Sequence, residues 1–143
     1  FFIYSLVLLP IIKNLKPLLL NLRYARHTNN IKALTDFYTQ VIGLEILGNF
    51  ENHSNYNGVF LGLPNLDWHI EFTESEDPPI HNSDDDDLIV LYLDSTHELN
   101  LLKNRIIRLG LRLSKSKNPY WQKNGIEIKD PDNFGVVLTI KPS

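Results

Sequence analysis

The chain has 143 residues, a formal charge of −3, 43% hydrophobic and 22% charged residues, which describes one ordinary globular domain or two small lobes sharing a core. The basic residues form no stripe, so nucleic acid is not an expected partner. With no cysteine there is no disulfide, no thiolate nucleophile and no cysteine-ligated zinc or iron–sulfur centre, a composition that fits a cytoplasmic protein.

The chain opens with an apolar run, FFIYSLVLLPII, closed by Lys13, Lys16 and Pro17. A membrane span takes about 20 apolar residues. A signal peptide wants basic residues before its apolar core and a small-residue cleavage site after it. The expectation is therefore an apolar extension over residues 1–21, an extra helix or arm packed on the domain or on a partner subunit, with no membrane partner. An anchor or targeting remnant is the alternative.

A strand is predicted over Leu22–Thr28. A helix follows, with Asn29 and Asn30 as cap candidates, an apolar face of Ile31, Leu34, Phe37, Tyr38 and Val41, and Gly43 as its stop. Three strands are predicted next, Leu44–Gly48, Gly58–Leu63 and Asp67–Thr73. The segment Thr73–Asp87 is an acidic, proline-bearing linker, read as a solvated loop. Leu88–Leu93 is a continuous apolar strand. Ser95 and Glu98 make a capping box ahead of Leu99, Leu102, Ile106 and Leu109, and Gly110 ends that helix. Leu111–Ser114, Gly125–Lys129 and Phe134–Ile140 complete the strands, with the loop Asn118–Trp121 (NPYW) between the first two.

This order repeats. Gly43-Leu44 returns as Gly110-Leu111, Gly58 as Gly125, and Pro64 as Pro131, all at one spacing. The chain therefore reads as two βαβββ modules in an α+β fold, about residues 22–82 and 83–143 of one domain over 22–143.

Phe37-Tyr38 followed by Ile42-Gly43-Leu44, with Asp130-Pro131-Asp132-Asn133 in the second module, resembles the vicinal oxygen chelate superfamily. That superfamily includes glyoxalases, extradiol dioxygenases, fosfomycin-resistance enzymes and bleomycin-binding proteins. The resemblance implies that each module curls into a half-barrel and that the pair encloses a cavity. In metal-binding members the ligands sit on the first and last strand of each module. Those four positions fall here on Arg23, Glu71, Leu88 (or its neighbour Asp87) and Val137. A guanidinium, a leucine and a valine supply none of the converging oxygen or nitrogen donors that a divalent ion needs. The expected cofactor is therefore none, a divalent metal being disfavoured.

Alternation in WHIEFTE (Trp68–Glu74) puts His69, Glu71 and Thr73 on one face. Arg23 and His27 share a face of the first strand. Three assignments compete for this group: a buried Arg23–Glu71 ion pair lining a pocket, a displaced metal site of His27, His69 and Glu71, or solvated surface. The first is preferred, because pairing is the cheapest way to keep either charge inside. Glu71 and His69 are then the catalytic candidates, should there be acid–base chemistry. The ligand-binding candidates are Arg23, His27, Phe60, Tyr92, Tyr120 and Trp121. Tyr92 is expected to face the cavity beside Arg23, and Tyr120 and Trp121 to lid it or to pack the rim. His53 and Tyr56 could border the opening, and His81 and His97 read as surface residues.

No GxSxG, Walker, GxGxxG or HExxH motif occurs. The expected function is metal-free binding of a small organic molecule, with a homodimer implied by the resemblance to bleomycin-resistance proteins. The alternative is a glyoxalase-like lyase or isomerase with an atypical metal or acid–base site. Whether the chain is an enzyme stays open at this stage.

Overall fold

The computed structural model describes residues 18–142; the predicted apolar run at the start of the chain lies outside them. The first module runs β1 (Leu22–His27), α1 (Ile31–Asp36), β2 (Glu45–His53), β3 (Tyr56–Gly62) and β4 (Trp68–Glu74). The second runs β5 (Leu88–Leu93), α2 (Thr96–Arg108), α3 (Pro119–Asn124), β6 (Gly125–Lys129) and β7 (Gly135–Ile140). The first sheet has the order β1-β4-β3-β2 and the second β5-β7-β6. In each, the opening strand pairs parallel with the closing strand, and the closing strand pairs antiparallel with the one before it. The α+β arrangement of two modules is as expected from the repeat.

The repeat landmarks have a conformational cause. Gly43 and Gly110 follow the first long helix of each module with φ of 99° and 75°, the left-handed region that only glycine enters without steric penalty. Asn30 caps α1 by accepting a bond from the Ala33 N–H at 3.2 Å. The helix does not run on regularly to Gly43: Phe37–Ile42 form a π-helical turn, which buries Phe37, Tyr38, Val41 and Ile42.

Two elements differ from expectation. Leu111–Ser114 is not a strand, and only an isolated bridge joins Ser114 to Glu127. NPYW is not a loop but the start of α3. Asn118 accepts the Tyr120 N–H at 2.9 Å and Pro119 takes the first helical position, where a missing N–H costs nothing. The second sheet therefore has three strands.

One core joins both modules. Leu34, Tyr38, Leu61 and Phe72 of the first meet Leu102, Ile106, Val136 and Leu138 of the second. Alternation on β4 sends Ile70 and Phe72 into this core and leaves His69, Glu71 and Thr73 on the opposite, half-exposed face.

Candidate functional site

On that opposite face the β1–β4 register sets Arg23 beside His69 and Ala25 beside Glu71. The β3–β4 register adds Phe60 beside Glu71. Arg23 donates from Nε to His69 Nε2 at 2.9 Å. Its Nη1 lies 3.9 Å from Glu71 Oε2, and its guanidinium stands 4.7 Å over the Phe60 ring. His69 meets the same ring edge-on at 5.7 Å. Because an arginine in a protein cannot be deprotonated, His69 Nε2 must be the acceptor, and the neutral ring carries its proton on Nδ1. The cluster therefore offers a cation, a carboxylate and an aromatic face within a few ångströms.

Arg23, His69, Glu71 and Phe60 thus come together, but not as the sealed pair expected. The Glu71 side chain is 12% exposed and that of Arg23 52%, so water screens the interaction. His27 lies on the same face at the far end of β1, where its Nε2 meets Ser75 Oγ at 3.1 Å. The other candidates do not touch this cluster, although Tyr92 borders one groove with His69. Tyr92 is 56% exposed on β5, an edge strand of the other sheet. Tyr120 and Trp121 stack edge-on at 4.7 Å on α3, which packs on β6 and β7. Trp121 borders a small hollow of the second module with Ser114 and Glu127. His81, exposed as expected, bonds the His27 carbonyl at 2.7 Å.

A metal does not fit this arrangement. The Arg23 guanidinium occupies the hydrogen-bonding nitrogen of His69, and Leu88 and Val137 carry no donor. Among the described residues no three His, Asp or Glu side chains converge as a metal-ligand group.

One buried charge pair was not among the sequence candidates. Arg26 lies on the core face of β1 and is 5% exposed. Its Nη2 pairs with Asp130 Oδ2, which also accepts the Tyr38 hydroxyl at 2.8 Å. Asp130 Oδ1 accepts the N–H groups of Asp132 at 2.9 Å and Phe134 at 3.1 Å, so four donors hold this carboxylate. The Arg26 guanidinium sits 3.9 Å from the centre of the Phe134 ring and 5.0 Å from that of Phe72. Burial acts to lower the Arg26 pKa, yet the charge and hydrogen bond of Asp130 outweigh it and hold it above the ordinary value. Burial and the Asp130 charge push the Tyr38 hydroxyl well above the usual phenol range. Tyr38 and Asp130 belong to the two sequence signatures, and here they tie the modules together. The signal that could have found Arg26 is its parity: an arginine in step with the apolar Leu22 and Tyr24 invites a search for a partner.

Between the opening strands of the two sheets lies a groove of about 1010 Å³. Leu22, Tyr24 and Arg26 form one wall and residues 88–93 the other, with His69, Phe134 and Leu138 also bordering it.

Two modules of this topology, packed on one core, define a protein of the vicinal oxygen chelate superfamily with a glyoxalase-like domain. The chain belongs to the YycE-like family: the models of the YycE-like N-terminal and C-terminal domains match residues 22–73 and 86–139. The uncharacterized protein YycE of Bacillus subtilis strain 168 is 34% identical over 120 residues, covering 82% of this chain and 85% of that one. The crystal structure of a Bacillus subtilis YycE superposes with a TM-score of 0.76 at 32% identity, over 87% of this chain and 91% of that one. Glyoxalase I of Leishmania major (TM-score 0.66, 15% identity, 87% of each chain) shares the fold. So does TnmS3, an antibiotic-binding protein from Streptomyces sp. CB03234 (TM-score 0.66, 15% identity, 89% of this chain and 99% of that one). No helix among the described residues is long and apolar enough to cross a membrane.

Proposed function

We propose that this protein binds a small organic molecule without a metal, on the half-exposed face of the first sheet, as a cytoplasmic homodimer. The observation that carries the proposal is the Arg23 guanidinium, fixed by His69 at 2.9 Å and carried over Phe60, where the family's metal-binding members would place a ligand. Half of its surface remains free to meet an oxygen-rich group, and Phe60 offers a flat apolar neighbour. The antibiotic-binding relative of the same fold supports binding as a use of this architecture. His27 borders the face. Tyr92, Tyr120 and Trp121 enter the proposal only as contributors from a second copy.

Trp68 lies on the face of β4 opposite His69 and Glu71 and borders the groove between β1 and β5, so binding at the Arg23 site is followed by calorimetry. Calorimetric titration with planar aromatic carboxylates should give a saturable heat that is lost in Arg23→Gln. An unchanged titration curve in Arg23→Gln would remove the site. Sedimentation analysis of the same sample tests the dimer.

A second reading, a lyase or isomerase, rests on Glu71 and His69 sharing one face. It requires turnover that disappears in Glu71→Gln. Binding without turnover decides against it.

A further inference from the structure

The large groove between β1 and β5 is lined by the Leu22, Tyr24 and Arg26 face of β1, shares His69 with the site proposed above, and goes beyond that function. Both strands that form it are sheet edges, and its walls are apolar, with Leu22 65% and Tyr24 44% exposed. Its volume of about 1010 Å³ lies at the upper end of the range of about 300–1,000 Å³ that ligand sites occupy. At its floor stands Arg26. Although this residue is 95% withdrawn from solvent, its Nε and Nη1 have no hydrogen-bond partner among the described residues. Buried N–H groups without an acceptor are rare and costly. Phe134 and Phe72 flank the guanidinium, so these N–H groups can be satisfied only at the edge of its plane.

From this we infer that the groove is a second binding site, for an uncharged, largely apolar molecule carrying a carbonyl-type oxygen that accepts from Arg26. The charge of the occupant follows from the surroundings. Asp130 already neutralises Arg26, and Asp86 and Asp87 border the groove. A carboxylate or sulfonate would meet two negative charges and no uncompensated positive one. A neutral acceptor meets two unpartnered guanidinium nitrogens, Nε and Nη1, and an apolar wall that gains from being covered.

Nile red, a neutral apolar dye with a ring carbonyl, is the probe. It should bind the full chain saturably, one per chain, with a blue-shifted emission. The anionic dye 1-anilinonaphthalene-8-sulfonate should compete poorly. Leu22→Glu, at an exposed position that leaves the core intact, should weaken Nile red by roughly tenfold or more. Arg26→Met combined with Asp130→Asn, which removes both charges together, should weaken it as well. A saturating planar aromatic carboxylate should leave Nile red affinity unchanged, which separates this site from the one proposed above. Unaltered Nile red binding in Leu22→Glu would overturn the assignment. So would preferential binding of the sulfonate dye. Nile red binding that rises only as a dimer dissociates on dilution would show the groove to be a contact between copies, which also overturns it.

Discussion

Arg26 on β1 and Asp130 in the turn before β7, 104 residues apart, form an ion pair closed off from solvent between the two modules. Every oxygen of Asp130 is engaged, while part of the guanidinium is not. Arg26→Met leaves a carboxylate in the core with Tyr38 and two backbone N–H groups but no counter-charge. The expected loss is about 3–5 kcal/mol in urea unfolding. Adding Asp130→Asn should restore a good part of it, since the amide oxygen can keep the turn's N–H bonds. A double variant no more stable than Arg26→Met alone would show that the pair is not coupled.

Tyr38 gives the pair a signature in alkali. Its hydroxyl is held well above the ordinary value of 10.0 by burial first and by Asp130 second, with Arg26 opposing. The unfolded chain therefore releases this proton before the folded one does. The stability that Tyr38 contributes is complete below about pH 10 and is lost as the pH rises from there through the folded value. Tyr38→Phe should flatten that decline and cost about 1 kcal/mol at neutral pH for the lost hydrogen bond. Thermal unfolding of both proteins across the alkaline range checks this, and parallel declines would contradict it.

The repeat, the module order and the polar face of β4 were legible in the sequence because each leaves a local mark. Glycines at fixed spacing sit where φ is positive, and alternation in WHIEFTE separates Phe72 from Glu71. The same alternation carried the Arg23 cluster. On the other face of β1 it aligns Arg26 with Leu22 and Tyr24, but nothing in a period of two reveals a partner 104 residues away. α3 was legible in principle, since Asn118-Pro119 is a helix-start signal, yet four residues of NPYW were too few to override a loop. The absent strand at Leu111–Ser114 has another cause: such a short run forms a strand only if a neighbour pairs with it along its length, and β6 supplies a single bridge.

Arg23 and Glu71 should behave differently from the core pair. With the Arg23 side chain half in solvent and 3.9 Å from the carboxylate, a double-mutant cycle of Arg23→Gln and Glu71→Gln should give less than about 1 kcal/mol of coupling. Glu71→Gln alone should scarcely move the melting temperature. A coupling as large as that expected for Arg26 and Asp130 would mean that this face is closed in solution, for example by a second copy.

Metal affinity should be low for want of donors. A first-row divalent ion needs several oxygen or nitrogen atoms at about 2.0–2.3 Å. Here His69 Nε2 is held by Arg23, the guanidinium repels a cation, and only Glu71 is left at the four family positions. After incubation with zinc, nickel or manganese and desalting, the protein should carry well below one ion per chain. Arg23→His should change this, because it exchanges the repelling group for an imidazole beside His69 and frees the His69 nitrogen. That variant would have two imidazoles and Glu71 on one face, three donors in the register that β1 and β4 impose, and should retain zinc. Stoichiometric metal in the native chain that vanishes in Glu71→Ala would defeat the argument, since it would require donors that this face does not present.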